Sequence, residues 1–283
     1  MHTRRDFAKL ALASPLSALG ARLDSKVKGV RLGAQSYSFR AIEPRNVDTA
    51  IDAFKKTGLG YCELASIHIE PEGKEALAAF RQNPPLDRMK QVRRKFDSAG
   101  VVLYALNYSF RDDWSDLEIE NGFRIAHAMG LARITASSNV SVAARIDPFA
   151  RKYKISVGMH NHSRIRPNEF ATPDDFAAAM RGKSEYIAIN LDIGHFTAAG
   201  FDPVKFLDEH HARILTLHLK DRKKNQGANL PFGQGETDIR GVLKLLEAKR
   251  YPIPAMIEYE YQGAADPITE VRKCFDYCRS ALA

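Results

Sequence analysis

Short apolar runs alternate along this chain with longer amphipathic stretches. The runs fall at residues 30–38, 60–65, 101–107, 132–137, 155–161, 187–193, 214–220 and 254–259. Helical patterning follows each, near 46–57, 86–99, 115–129, 141–153, 173–181, 203–210, 237–249 and 266–281. Runs that are apolar on both faces suit the strands of a parallel sheet, and intervening helices suit its crossovers. Eight such pairs predict the α/β class and a closed (β/α)8 TIM barrel in a single domain. An open doubly wound sheet wants a glycine-rich turn after its first strand, whereas residues 35–40 read Gln-Ser-Tyr-Ser-Phe-Arg. Thr172-Pro173 and Asp202-Pro203 mark helix starts, and Gly58 and Gly100 mark helix ends. Segment 66–85, with its Pro84-Pro85 pair, reads as an extended loop over the catalytic face.

Four successive runs end in a side chain able to ligate a metal: His160, Asp192, His218 and Glu258. In a barrel the C-terminal strand ends share one rim, so these four are expected to converge. Two imidazoles and two carboxylates hold a divalent transition metal and leave positions open for substrate. The same rim carries Gln35, Glu63, Asn107, His162, His195 and Lys220. Lys220 follows His218 by two and therefore shares its side of the strand. Each residue has a plainer reading. His160 suits a hydrogen-bonded core histidine, Asp192 a helix cap, and Lys220 an ion pair with Glu260.

The net charge of +8 changes little, because the basic residues are scattered. Arg93-Arg94-Lys95 and Arg222-Lys223-Lys224 read as a solvated helix face and a solvated loop, and no nucleic-acid platform is expected. Residues 1–28 read as an export signal and leader. Arg4-Arg5, with Phe7 two residues on and the apolar stretch from Leu10, resembles a twin-arginine signal, so a periplasmic location is expected. The domain proper is then 29–283. No run approaches the roughly 20 apolar residues of a membrane span, and no stable membrane association is expected after export. Three cysteines are too few for a disulfide framework; Cys274 and Cys278 read as core thiols on the last helix and Cys62 as a buried strand residue.

His160-Asn-His162, Leu191-Asp-Ile-Gly-His195, His218-Leu-Lys-Asp221, Gly233-Gln-Gly235 and Ile257-Glu258 together resemble the xylose isomerase-like TIM barrel family. That family holds sugar isomerases and epimerases, inosose dehydratase-like enzymes and endonuclease IV. The resemblance covers the chain after residue 28 and implies one divalent ion held by Glu, Asp, His and Glu. Manganese is the first expectation, with zinc, cobalt and magnesium as alternatives. Asp192, His218 and Glu258 take the last three positions, and His160 stands where the family has its first glutamate. Gly233-Gln-Gly235 is expected to close over the site.

Many epimerases of the family shuttle a proton between two metal-bound glutamates, of which only Glu258 is present. His160, His162 and Lys220 are therefore expected to join Glu258 in catalysis, with Gln35, Glu63, Asn107 and His195 binding substrate. Asn107, Asn229 and Pro231 stand where endonuclease IV has further metal ligands, which disfavours that activity. The resemblance implies a metal-dependent sugar isomerase or epimerase that abstracts a proton next to a metal-polarised carbonyl. The alternatives are a keto-sugar dehydratase or keto-glycoside lyase on the same site, and a non-catalytic periplasmic carbohydrate-binding barrel. The expected partner is a small carbohydrate, and homodimers or tetramers are common among the proteins resembled.

Overall fold

Eight parallel strands close on themselves in a computed structural model that describes residues 22–283. A short strand, β1 (Lys26–Val27), pairs antiparallel with β2 (Val30–Gln35). The barrel continues through β3 (Tyr61–Ala65), β4 (Val102–Asn107), β5 (Arg133–Ala136), β6 (Ser156–His160), β7 (Ile187–Asp192) and β8 (Ile214–Leu219). A two-stranded ribbon, β9 (Asp221–Arg222) with β10 (Asn229–Leu230), precedes the last barrel strand, β11 (Ala255–Ile257). Strand β2 pairs with both β3 and β11, and this closes the ring.

The helices are α1 (Val47–Thr57), α2 (Lys74–Gln82), α3 (Leu86–Ser98), α4 (Asp116–Ala128) and α5 (Val142–Tyr153). They continue with α6 (Pro173–Met180), α7 (Ile193–Ala198), α8 (Pro203–His210), α9 (Ile239–Lys249) and α10 (Pro267–Leu282). The starts of α1, α4 and α6 to α10 are fixed by side chains that satisfy otherwise free backbone donors. Thr172 and Asp175 form a reciprocal capping box on α6, and Asp202 caps α8 ahead of Pro203. Gly58 ends α1 with φ 77°, a left-handed conformation that a side chain would resist.

Strand alternation sorts the barrel into two sets of side chains. Leu32, Ala34, Val157, Met159, Leu217 and Leu219 point outward and join the buried layer beneath the helices. The inward set runs in levels along the barrel axis. Gln35, His160, Asp192, His218 and Glu258 stand at the C-terminal mouth, while Arg31, Tyr61, Tyr104 and Arg133 stand at the opposite one. Between them Gly33 leaves room for its neighbours. A Cβ there would lie 2.3 Å from the Tyr61 carbonyl and 2.6 Å from Met256 Sδ.

Segment 66–85 differs from the expected extended loop. It forms a single 3-10 turn over Ser66–His68 and then helix α2. Asn121 of α4 donates to the carbonyls of Arg81 and Gln82, at 2.7 and 2.9 Å, and so satisfies the C-terminal end of α2. The proline pair lies beyond it, with Pro85 capping α3. Only Phe80 of α2 is buried, so little of the helix is marked by core-facing positions. None of 66–85 lines the cavity described below.

Residues 22–28, assigned above to the leader, lie on the barrel. Leu23 donates to the Gly100 carbonyl at 2.9 Å, and Ser25 Oγ accepts from Gly60 at 2.8 Å. The twin arginine at positions 4 and 5 lies outside the described residues. No helix among the described residues is long and apolar enough to cross a membrane. Cys62, Cys274 and Cys278 are free and buried.

Candidate metal centre and active site

Each of β6, β7 and β8 delivers its last inward residue to one point at the C-terminal mouth, and Glu258 arrives just past β11. One potential ligand atom from each of His160, Asp192, His218 and Glu258 lies within 4.8 Å of the others, and all four residues are buried. Parallel register accounts for this: Asp192 pairs with His218, and Ile257 with Leu219.

The polar atoms at this point are held from behind and left open in front. His218 Nε2 donates to Glu63 Oε1 at 2.9 Å, and its Nδ1 faces the cluster, 3.1 Å from Glu258 Oε2. His160 Nδ1 lies 3.3 Å from Ser137 Oγ. Its Nε2 has no hydrogen bond, although Asp192 Oδ2 is 3.6 Å and Glu258 Oε2 3.8 Å away. Asp192 serves two purposes. Its Oδ1 accepts from the His195 amide at 2.6 Å and caps α7, while its buried Oδ2 accepts no hydrogen bond. Buried polar atoms without partners are rare and need a reason. His160 Nε2 is one such atom, and Asp192 Oδ2 has only the Lys220 ammonium at 3.2 Å; beside Glu258 the two fit a divalent cation of the kind that imidazole and carboxylate share.

Lys220 Nζ lies 2.9 Å from Glu258 Oε2, 3.2 Å from Asp192 Oδ2 and 2.7 Å from Glu260 Oε2. Burial disfavours its ammonium, but the three carboxylates outweigh that and raise its pKa above the ordinary value. Burial likewise opposes ionisation of Glu258, yet Lys220 and His218 hold its carboxyl well below the usual range. Burial also opposes protonation of His160 and His218, and the facing carboxylates again prevail, so both pKa values are raised. For His162 the facing carboxylates of Asp192 and Glu258 are outweighed. Burial, with His160 nearby, lowers it to about 4.

A cavity of about 340 Å³ opens in front of the cluster. Gln35, Asn107, His162, His195, Lys220 and Glu258 all line it, with Tyr37, Ser137 and Glu260 among them. Gln35 accepts from the Tyr37 amide, and Asn107 donates to Thr135 Oγ1 at 3.1 Å. His195 faces Lys220 Nζ at 3.0 Å and an Arg222 guanidinium nitrogen at 2.7 Å.

Two expected site elements stand elsewhere. Glu63 does not line the cavity. It is wholly buried behind His218 and also accepts from Thr135 Oγ1 at 2.6 Å. Gly233 and Gly235 donate to Asp221 Oδ2 at 2.8 and 3.0 Å instead of closing over the cavity. A Cβ on Gly235 would lie 2.1 Å from Asp221 Oδ1, so the glycine allows the loop to wrap that carboxylate.

Sequence reasoning missed Thr135, Ser137, Asn190 and Arg222. Asn190 Nδ2 lies 3.1 Å from His218 Nε2. Arg222, read as part of a solvated loop, is half-buried and bonded to His195, to Ser163 Oγ at 2.8 Å and to the Gly227 carbonyl at 2.7 Å. The usable signal was the two-residue period. Thr135 and Ser137, Asn190 and Asp192, and His218, Lys220 and Arg222 each share one side of an extended segment.

The family model described as xylose isomerase-like TIM barrel matches residues 51–281. The chain belongs to that family. Among curated relatives of this xylose isomerase-like barrel, L-ribulose-5-phosphate 3-epimerase UlaE of Escherichia coli is 33% identical over 92 residues, 32% of each chain. The match thus spans about a third of that relative's length. Two solved structures share the fold over most of the chain. A sugar phosphate isomerase/epimerase from Parabacteroides distasonis is 18% identical with a TM-score of 0.64, covering 90% of this chain and 97% of its own. The IolI protein with a bound zinc atom is 15% identical with a TM-score of 0.67, covering 89% and 98%.

Proposed function

We propose that this barrel is a divalent-metal-dependent sugar isomerase or epimerase that moves a proton next to a carbonyl. The carrying observation is the buried His160, Asp192, His218 and Glu258 cluster opening onto a polar cavity. The named epimerase among its relatives and the zinc-holding IolI structure support the reading. His160 through Nε2, His218 through Nδ1, Asp192 through Oδ2 and Glu258 would hold the ion. A divalent cation there supplies a Lewis acid that polarises a carbonyl and acidifies the neighbouring C–H. Manganese remains the first expectation. The imidazole in place of a carboxylate makes zinc and cobalt better rivals than magnesium.

The chain's own groups do the rest. Glu258 takes the proton from the carbon beside the carbonyl. Return of that proton by Glu258 to the adjacent carbon gives an isomer, whereas delivery of a different proton to the opposite face by a second group gives an epimer. Lys220, which carries a proton, is the candidate donor, and His162, neutral at ordinary pH, is the candidate to relay a proton through its imidazole by accepting on one nitrogen and releasing from the other. Gln35, Asn107 and His195 orient the sugar hydroxyls.

The sugar is proposed to be unphosphorylated. Among the described residues Lys220 is the one Lys or Arg lining the cavity, and three carboxylates already share its ammonium. That suits the export proposed from Arg4-Arg5, which places the enzyme in the periplasm. A second reading, a keto-sugar dehydratase or keto-glycoside lyase, is favoured by His160 replacing the family's other proton-shuttling glutamate. Loss of a β-oxygen needs one base and one acid, without a symmetric carboxylate pair.

The test is elemental analysis of protein purified without chelator, beside His160→Ala and Glu258→Gln. About one ion per chain, reduced in His160→Ala, supports the centre. Glu258→Gln should then abolish turnover of unphosphorylated keto-sugars or keto-glycosides. A protein that holds no metal, and whose sugar affinity is unchanged by Glu258→Gln, would instead be a carbohydrate-binding barrel.

A further inference from the structure

The end of the barrel opposite the metal cluster holds a second cavity, of about 600 Å³. Its floor is aromatic, made by Tyr61 and Tyr104, which are buried inside the barrel. Arg31 and Arg133 line it, and strand alternation aims them there. Arg31 shares its side of β2 with Gly33 and Gln35. Arg133 shares its side of β5 with Thr135, which reaches Glu63 inside the barrel. Both arginines are half-buried. Arg133 lies over the Tyr104 ring at 4.6 Å, and Arg31 donates to the Pro252 carbonyl at 2.7 Å.

Inward positions of such barrels are ordinarily filled by apolar side chains. Two guanidiniums at one mouth need a counter-charge or a solvated exit. The rim adds further cations, Arg22, Lys26, Lys28 and Arg250. Lys28 lies 3.8 Å from Glu247, the one acidic residue lining the cavity among the described residues. Among those residues, none of the other five cations has a carboxylate within ion-pair distance. The segment before Arg22 is itself net positive, with one acid, Asp6, against Arg4, Arg5 and Lys9.

We infer that this basic, aromatic-floored mouth is a binding site for a compact polyanion, a small molecule carrying phosphate groups or several carboxylates. The guanidinium forks of Arg31 and Arg133 are suited to bidentate contacts with either oxyanion. The surrounding cations concentrate negative charge at the mouth. The tyrosine rings hold the arginine planes in place and give the organic part of the ligand an apolar face. The site lies at the other end of the barrel from the metal cluster. It is therefore a place for a regulator or a tether, separate from the substrate cavity, and it does not depend on the reaction proposed above.

Calorimetric titration at low ionic strength tests this, with pyrophosphate and citrate as separate probes on the metal-loaded protein. One-site binding of at least one probe is expected, weakening as salt is added. The better probe tells phosphate from carboxylate. Arg31→Gln and Arg133→Gln should each weaken binding by about tenfold or more, the loss expected for a charge-assisted contact. Glu258→Gln should bind like the wild type, which separates this site from simple chelation of the catalytic ion. The inference is overturned if neither probe saturates, if the double Arg→Gln variant binds unchanged, or if Glu258→Gln alone removes binding. Should the Arg→Gln variants fold poorly, the Arg31→Met, Arg133→Met double variant gives the same answer by melting. It should match or exceed the wild-type Tm without probe, because unpaired charge has been removed, and should gain nothing from the probe. A lower Tm with an undiminished response to probe assigns the arginines a purely structural role.

Discussion

Glu63 Oε1 lies 2.9 Å from His218 Nε2, and neither side chain is more than 1% exposed. A carboxylate in that position holds a proton on Nε2 and turns Nδ1 towards the position proposed for the metal. Substituting Glu63 with Gln removes that constraint and leaves the shape nearly unchanged. Losing such a supporting partner ordinarily weakens metal binding by about 10–100-fold. A chelator competition on Glu63→Gln should show a loss in that range, with sugar affinity of the metal-saturated protein unchanged. An unaltered metal affinity would mean that Glu63 does not set the His218 tautomer.

Asp192 divides its two oxygens between a helix cap and the metal position, so two substitutions should separate the tasks. Asn retains an oxygen able to accept from the His195 amide. Asp192→Asn should therefore lose metal while melting close to the metal-free wild type. Asp192→Ala loses the cap as well and should be less stable than Asn by about 1 kcal/mol. Denaturant unfolding of the metal-free proteins checks this. Equal stability of Asn and Ala would show that the cap contributes nothing.

The contrast between Asp192 and Glu63 also shows what could be read from the sequence. Asp192, His218 and Glu258 end apolar runs of uniform length, so knowing the strands located the rim. Strand alternation and parallel pairing did the rest. Depth within the barrel was not legible. Glu63 pairs with Gln35, which lines the cavity, yet is itself wholly buried behind His218, and no local pattern announces that difference. Helix α2 was hidden for another reason, because it is held by Asn121 on a distant helix and by a single buried phenylalanine. Arg222 was misread because a run of basic residues looks solvated unless its place in an extended segment is known.

His68 provides a pH test away from the metal cluster. Its ring is 2% exposed, its Nε2 faces the Ser36 carbonyl at 3.2 Å, and burial lowers its pKa from the ordinary 6.5. The unfolded chain therefore binds a proton near pH 6.5 that the folded His68 refuses until lower pH. Stability is unaffected above that value and is lost as pH falls from 6.5 towards the depressed folded value. Thermal melts should show Tm falling less steeply between pH 7 and 5 for His68→Gln than for the wild type. Parallel curves would show that His68 takes up its proton equally in both states.

Lys220 and a metal ion call on the same oxygens. The ammonium is 2.9 Å from Glu258 Oε2 and 3.2 Å from Asp192 Oδ2, both of which face the position proposed for the ion. Lysine therefore neutralises these carboxylates in the metal-free protein and opposes the cation electrostatically when it binds. Replacing Lys220 with Met should have opposite effects on the two forms. The metal-free variant should lose about 3 kcal/mol, the usual consequence of leaving buried carboxylates without their partner. Its metal affinity should rise, and metal should increase its Tm by more than it does for the wild type. Turnover should fall, because the proposed proton donor is gone. Denaturant unfolding with and without metal, together with a metal titration, reads all of this. Weaker metal binding in Lys220→Met would show instead that the ammonium helps to assemble the ligand set, and the competition argument would fail.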